Sequence, residues 1–159
     1  MARERGLAVT SDIEHLTSHT EALITAVTHP IFDSALPARL SGESDPERAL
    51  RKLRRLNPNV LCMTLGERGA AALDGDRFYS SEGFTVKVQD TTGAGDVFRA
   101  GYIYGLSKGW TTPDILRFAN AAGALSCTRL GAIASVPTLI EVGSWLRAQD
   151  SGQNSYLEP

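Results

Sequence analysis

The stretch that decides the fold is Asp90-Thr91-Thr92-Gly93-Ala94-Gly95-Asp96-Val97-Phe98. Residues 84–88 before it read as a strand, and from Val97 the apolar residues recur at helical spacing. The small residues 93–95 leave backbone N–H groups open to a ligand. The following helix points its positive N-terminal end at the same place. The sequence therefore predicts an anion site, suited to a phosphate, in a strand-to-helix loop.

Asp96 is unexpected in such a loop, because a carboxylate beside a phosphate repels the ligand. The carboxylate has a use if it accepts a proton from an attacking hydroxyl, as in phosphoryl transfer. A glycine-rich turn with an acidic residue in the first helical turn is the alternative, and the short motif leaves it open. The chain has no GxxxxGK[ST] loop, and Phe98 occupies the third position of a GxGxxG fingerprint. A dinucleotide-binding loop is therefore disfavoured.

The composition indicates a soluble globular protein. The 159 residues are 42% hydrophobic and 21% charged, with a net charge of -2. This excludes a disordered chain and disfavours a nucleic-acid partner. No apolar run is long enough for a membrane span or a signal peptide. Cys62 and Cys127 form no CxxC pair, which fits two reduced thiols, and we expect a cytoplasmic protein.

Strand and helix patterns alternate, which predicts a layered α/β fold. Strands are expected at residues 7–10, 59–64, 70–73, 78–79 and 84–88. Helices are expected after Asp45-Pro46, beside Asp96, after Thr112-Pro113 and over residues 138–147. Residues 150–159 read as a polar tail.

The string DTTGAGDVF resembles the C-terminal signature of the PfkB family of carbohydrate kinases, which have the ribokinase-like fold. Thr64-Leu65-Gly66-Glu67-Arg68-Gly69-Ala70 is similar to the family's upstream nucleotide segment. Residues 118–122 and 128–132 are similar to its downstream helix and cation loop. The resemblance covers residues 59–145 well. We therefore expect residues 1–149 to be the C-terminal part of a kinase domain, with 1–58 matching loosely and 59–149 forming the nucleotide and anion-hole region.

The resemblance implies a three-layer sheet with flanking helices, truncated because the family's N-terminal half and its small β lid have no counterpart. It implies ATP-dependent phosphorylation of a sugar hydroxyl, with Asp96 as the catalytic base. Gly93, Ala94, Gly95 and the Asp96 amide match the family's anion hole, whose donors stabilise the transferring phosphoryl group.

The resemblance also implies the cofactors ATP and Mg²⁺, and K⁺ at a monovalent-cation site. The positions matching the nucleotide site are Thr64, Gly66, Glu67, Gly69, Gly95 and Asn120. The positions matching the cation site are Asp90, Thr92, Ser126, Arg129, Gly131 and Ser135. Purely structural interpretations stay open. Asn120 would then be a polar residue within a helix, the two serines would be hydroxyls in loops or at helix ends, and Arg129 would be a surface charge.

The chain departs from the family in three respects. The family's enzymes are about twice as long, their Asn-x-x-Glu motif for magnesium occurs nowhere here, and position 99 is Arg where many relatives carry a smaller or amide side chain. Two hypotheses follow: a sugar kinase, or an inactive nucleotide-binding or partner-completing module. The expected partners are ATP and a small sugar or sugar phosphate. A sheet that lacks the family's N-terminal half has an unpaired strand edge. We therefore also expect a homodimer or a complementing N-terminal chain.

Overall fold

A mixed five-stranded sheet forms the centre of the protein. The structure, a computed structural model, describes residues 2–154. The strands are β1 (Thr10–Ile13), β2 (His29–Phe32), β3 (Leu61–Thr64), β4 (Ala70–Asp74) and β5 (Arg77–Ser81), in the spatial order β1-β2-β3-β4-β5. The first three strands are parallel, and β4 and β5 continue the sheet antiparallel.

Helices cover both faces of this sheet. They are α1 (Thr20–Ala26), α2 (Ala35–Ser41), α3 (Pro46–Leu53), α4 (Ala94–Ser107), α5 (Thr112–Ser126) and α6 (Leu139–Asn154). The predicted start of α3 is confirmed, because Asp45 caps it by accepting a 2.9 Å hydrogen bond from the Arg48 amide, with Pro46 in the first turn. The helix predicted at Thr112-Pro113 is present but starts earlier than expected: α5 begins at Thr112, with Thr111 as N-cap and Pro113 in the first turn.

Strand alternation divides the core into two layers. Leu61 and Met63 face the side of α1, α2 and α3, where they pack with Ile24, Leu36 and Leu50. Between them Cys62 points to the opposite face, where α4 and α5 cover the sheet with Phe98, Tyr102, Leu116 and Ala119 among others. The predicted three-layer α/β architecture is therefore confirmed.

The predicted strand at residues 84–88 is wrong. The sheet in the described part of the chain ends with β5, and residues 84–88 form no regular secondary structure. The apolar residues that suggested a strand are used otherwise: the Phe84 ring packs edge-on against Trp145 of α6, with 4.8 Å between ring centroids. Phe84, Thr85, Val86 and Val88 also line a cavity, which an additional paired strand would not leave open.

The bounds of the first predicted strand and of the last predicted helix also differ from prediction. The first strand begins at Thr10 rather than Leu7, because its pairing with β2 begins at Thr10 and His29, and Leu7 is exposed. The last helix continues to Asn154, so residues 150–154 of the predicted tail are helical, and Asp150 forms an ion pair with Arg117 of α5. Residues 155–159 of that tail lie outside the described residues.

Two smaller findings bear on the sequence interpretation. No helix among residues 2–154 is long and apolar enough to cross a membrane. Both cysteines are free thiols, and burial raises the pKa of the Cys62 thiol far above its usual value.

Candidate nucleotide and phosphate site

The small-residue loop ends at the N-terminus of α4, as the sequence predicts. Gly93 is the N-cap of this helix and has a left-handed backbone, with φ of 79°. A Cβ atom placed there would lie 3.1 Å from the Cβ of Ala132. Glycine therefore serves two purposes at this position, since it adopts the left-handed conformation without strain and lets the loop at Ala132 approach.

A cavity of about 630 Å³ lies beside this helix start. The turn after β3, the segment after β5, the first turn of α4 and one side of α5 surround it. It is lined by all six positions predicted for the nucleotide, namely Thr64, Gly66, Glu67, Gly69, Gly95 and Asn120, and by Ala94 of the predicted anion hole.

Two glycines shape the cavity wall. Gly69 has φ of 92°, and a Cβ placed on it would lie 2.1 Å from the backbone oxygen of Ser81. A Cβ on Gly83 would lie 2.1 Å from the backbone oxygen of Glu67. The turn at Gly66–Arg68 therefore packs directly against the backbone leaving β5, and neither glycine tolerates a side chain.

The Asn120 amide is engaged in holding this wall. Its side chain is 7% exposed, and Nδ2 donates to the backbone oxygen and Oγ of Ser81 at 2.9 and 3.0 Å and to the backbone oxygen of Glu82 at 3.3 Å. Asn120 thus lines the cavity and also fixes the chain where it leaves β5. These hydrogen bonds support the structural interpretation of Asn120 that the sequence left open, at a residue that also lines the cavity.

Asp96 and Gly93 belong to the loop but not to the cavity lining. The Asp96 side chain is 83% exposed, in the first turn of α4, where the helix dipole favours a carboxylate. Its Oδ1 accepts a 2.9 Å hydrogen bond from Nη1 of Arg99. An exposed carboxylate next to a row of backbone amides can reach an acceptor molecule that approaches from solvent.

Asp90 connects the two loops predicted to hold a monovalent cation. Its Oδ1 accepts from the Thr92 amide and its Oδ2 from the Gly131 amide, each at 2.9 Å. Hydrogen bonds from Thr92 and then from Gly131 lower the pKa of Asp90 to about 2. Ser135 follows in the second loop, 2% exposed, and its buried Oγ has no hydrogen-bond partner in the described part of the protein.

The two remaining cation-site candidates direct their side chains elsewhere. Ser126 is buried within α5, and its Oγ donates to the backbone oxygen of Gly123 at 2.8 Å. Arg129 forms an ion pair with Glu141 of α6. The structure therefore joins Asp90 to Thr92 and Gly131, and the Ser135 amide donates to the backbone oxygen of Gly131 at 3.0 Å. The side chains of the other two candidates make structural contacts.

Sequence reasoning missed a large part of the cavity wall. The missed lining residues are Gly83, Phe84, Thr85, Val86, Val88, Thr91, Phe98, Gly123, Ala124 and Cys127. Gly123 offered a signal, since a glycine inside an otherwise apolar helix indicates a close approach. A Cβ there would lie 3.3 Å from the backbone oxygen of Ala94, so α5 approaches the start of α4 at this point.

Comparison with solved structures shows the fold of which this chain forms a part. The ribokinase of Thermotoga maritima superposes with a TM-score of 0.80 and 29% identity, over 92% of this chain and 51% of that chain. The ribokinase of Arabidopsis thaliana, solved in complex with ribose and ATP, gives a TM-score of 0.80 and 28% identity over 89% of this chain and 48% of that chain. The architecture and the loop before α4 thus define a ribokinase-like α/β protein.

Sequence comparison then gives the family. Residues 11–139 match the pfkB family carbohydrate kinase pattern, and the chain belongs to that family. It is 35% identical over 102 residues to the ribokinase of Lactococcus lactis, an alignment that covers 64% of this chain and 34% of that protein. The chain therefore spans about a third of this curated relative and about half of the solved structures.

Proposed function

We propose that this chain carries the nucleotide-binding and phosphoryl-transfer half of a carbohydrate kinase, which passes the γ-phosphate of ATP to a hydroxyl of a sugar or sugar phosphate. One observation carries the proposal. The cavity of about 630 Å³ ends at the N-terminus of a 14-residue helix whose first turn holds small residues and a single exposed carboxylate. Family membership and the ribokinase-like fold support the same activity.

Asp96 serves as the base in this mechanism. Its carboxylate takes the proton of the acceptor hydroxyl while that oxygen bonds to the γ-phosphorus. The bond from the γ-phosphorus to the oxygen bridging the β-phosphate breaks, so ADP leaves and the proton later passes from Asp96 to solvent. The amides of Gly93, Gly95 and Asp96 stabilise the charge on the transferred group, and preorganised donors of this kind contribute about 3 kcal/mol each. The Ala94 amide, which donates to the backbone oxygen of Thr91 at 3.1 Å, joins them once it turns to the phosphate.

Residues of the cavity wall bind the nucleotide in this proposal. Thr64, Gly66, Glu67 and Gly69 approach the phosphates and ribose from the turn after β3, which brings backbone close because it is rich in glycine. Asn120 lies on the α5 side, and we assign it to the adenine end of the nucleotide.

A K⁺ ion is proposed beside the anion loop. Asp90 has the charge to balance a monovalent cation, and it already joins the loops at Thr92 and Gly131. The buried, unpartnered Oγ of Ser135 supports the assignment, because a bound cation would satisfy that oxygen. The ion would fix the shape of the loop. Ser126 and Arg129 contribute no side-chain ligand in the arrangement seen.

Mg²⁺ is proposed to arrive with the nucleotide. No cluster of three His, Cys, Asp or Glu side chains able to hold a metal ion occurs among residues 2–154. Mg²⁺ commonly binds through substrate phosphates and retained waters with one or two carboxylates, so an all-protein site is not required. The ion would neutralise phosphate charge when bound.

The test is phosphoryl transfer from ATP to a panel of sugars and sugar phosphates. Wild-type protein should produce ADP and a phosphorylated acceptor, and D96N should lower the rate by about 10²–10⁴-fold while retaining ATP binding. Activity that survives D96N would remove Asp96 from the role of base. A matched control is D76N, in the exposed turn between β4 and β5, which should leave the rate unchanged.

A second candidate function is a nucleotide-binding module that completes a fold with another polypeptide. The observation favouring it is that the chain spans about half of the solved relatives it superposes on. ATP binding without turnover on any acceptor would support the module. Turnover by the 159-residue chain alone would contradict it.

A further inference from the structure

One guanidinium links the proposed catalytic base to the edge of the sheet. Nη1 of Arg99 lies 2.9 Å from Oδ1 of Asp96, and Nη2 lies 2.5 Å from Oδ1 of Asp12 and 2.8 Å from Oε1 of Glu14. Asp12 is in β1 and Glu14 follows that strand directly. Arg99 therefore joins the first turn of α4 to the carboxyl end of β1.

The arginine at the centre of this bridge is largely buried, and the carboxylates at its ends are more exposed. The Arg99 side chain is 16% exposed, whereas that of Asp96 is 83% exposed. The Arg99 hydrogen bond lowers the pKa of Glu14, and burial raises the pKa of Asp12 against the opposing effect of Arg99. A largely buried arginine shared by three carboxylates is held in place far more firmly than a surface ion pair.

The guanidinium also lies against the anion loop. A Cβ placed on Gly95 would be 3.6 Å from both Nη1 and Nη2 of Arg99. The Arg99 guanidinium thus occupies the space that Gly95 leaves free, and Gly95 itself lines the nucleotide cavity. This places one positive charge within 4 Å of both the Asp96 carboxylate and the Cβ position of Gly95, in the loop that would receive phosphate.

We propose that Arg99 is a positioning residue that holds the Asp96 carboxylate at the start of α4 and offsets its repulsion of bound nucleotide. The inference rests on the proposed function. It explains how an exposed carboxylate is compatible with a phosphate loop one residue away.

The experiment is a double-mutant cycle on ATP affinity, measured by calorimetry with MgATP for wild type, R99M, D96N and D96N/R99M. R99M should weaken ATP binding about tenfold, because Asp96, the one of the three paired carboxylates that lies in the proposed anion loop, loses its neutralising partner. In D96N/R99M the affinity should return to within about threefold of D96N, because the repelling charge is gone.

R99K distinguishes charge from shape, because lysine keeps the positive charge without the two-pronged geometry. It should retain ATP affinity within about threefold of wild type and, where turnover is measurable, lower kcat more than it changes KM. R51M is the matched control: it removes an exposed arginine that pairs with Glu47 on α3, and should leave ATP affinity unchanged. Denaturation curves for all variants confirm that each is folded, and if R99M is not, R99Q carries the same cycle.

The possible results distinguish a failure of this inference from a failure of the proposed function. An R99M loss that persists in D96N/R99M would show that Arg99 acts through the fold alone and would overturn the inference. Unchanged ATP affinity in R99M would overturn it too. In both cases wild-type ATP binding leaves the proposed function standing, whereas wild-type protein that binds no ATP would overturn the proposed function and this inference with it.

Discussion

Gly93 and Gly131 both have left-handed backbones, but only one of them is crowded. Their φ angles are 79° and 86°. A Cβ on Gly93 would meet Ala132 at 3.1 Å, whereas a Cβ on Gly131 would meet nothing within 4 Å. The two positions therefore share a backbone requirement, and Gly93 adds a steric one.

Replacing these glycines separates the two requirements. G131A should lower the free energy of unfolding by about 1–2 kcal/mol, the usual cost of a left-handed conformation for a residue with a Cβ. G93A should cost more, because the methyl group also displaces the Ala132 loop, and it should weaken ATP binding as the loop shifts. Chemical denaturation and calorimetry measure both effects. Equal losses of stability in the two variants would contradict the steric argument.

Asp90 makes the stability of these loops depend on acid pH. Its native pKa of about 2 lies below the usual value of 3.8, because the Thr92 side chain and then the backbone amides of Thr92 and Gly131 donate hydrogen bonds to the ionised carboxylate. The resulting stabilisation is fully present above pH about 4 and is lost as pH falls towards 2. D90N should therefore flatten the dependence of unfolding free energy on pH in this range.

Denaturant titrations between pH 2 and 6 check this prediction. E141Q provides a parallel case, because hydrogen bonds from Thr138 and Arg129 lower the pKa of Glu141 to about 2. Each variant should remove part of the acid-dependent loss of stability. A D90N profile that matches wild type over this range would show that the Asp90 hydrogen bonds do not survive in solution.

At the scale of elements, the contact between α4 and α5 depends on glycine. A Cβ on Gly101 would lie 3.0 Å from the backbone Cα of Ala119, and a Cβ on Gly105 would lie 2.8 Å from Cγ1 of Ile115. The backbones of the two helices therefore pack closely. This contact also holds the α5 wall of the cavity against the start of α4.

Gly101→Ala should destabilise the protein in spite of its better helix propensity. Alanine gains about 1 kcal/mol over glycine within a helix, while overpacking a close helix contact costs about 1–3 kcal/mol. Gly143→Ala is the matched control on α6, where a Cβ would meet only the flexible Arg147 side chain at 3.5 Å. It should be neutral or stabilising, and a stabilised G101A protein would contradict the close packing.

The packing of β2 against α4 makes the stability of the protein depend on pH near neutrality. His29 packs edge-on against Tyr102 with 6.3 Å between ring centroids, and its Nδ1 lies 2.8 Å from Thr28 Oγ1. Burial lowers the pKa of His29 below its usual 6.5, against a smaller opposing effect of Asp74. The stabilisation is present above pH about 6.5 and is lost as pH falls through the lowered native pKa.

Unfolding free energies measured between pH 5 and 8 should therefore decline on the acid side in wild type, and H29N should lack that part of the decline. H19Q, at the N-terminus of α1, serves as the control and should retain it. An unchanged slope in H29N would show that the His29 side chain is hydrated in solution.

Local signals explain which elements and site residues the sequence could predict. Asp45-Pro46 and Thr112-Pro113 mark helix starts because capping depends on neighbouring residues, and positions 93–96 were found because they are consecutive. The strand prediction for residues 84–88 failed because Phe84 and Val86 look like strand residues, yet Phe84 packs on α6 and both residues line the cavity. The bridge from Arg99 to Asp12 joins residues distant in sequence, so only the fold reveals it.

At the scale of the whole molecule, apolar side chains remain uncovered before and within the first turn of α6. This apolar surface consists of Leu130, Ile133, Val136, Leu139 and Ile140, which are between 49% and 90% exposed. Single exposed apolar residues are ordinary, but five within eleven positions indicate a contact surface. The surface lies on the loop that carries Gly131 and Ser135, so covering it would also restrain the proposed cation site.

We therefore expect the purified chain to associate through this surface. Sedimentation velocity over a range of concentrations should show reversible self-association in wild type, and I133S/I140S should shift the equilibrium towards monomer without loss of fold. L7S removes an exposed leucine from a different part of the chain and should leave the association unchanged. Association weakens because each isoleucine removed from the contact costs about 1.5–3 kcal/mol of apolar burial. Wild-type protein that remains monomeric at every concentration would mean that the surface does not bind a second copy of the chain.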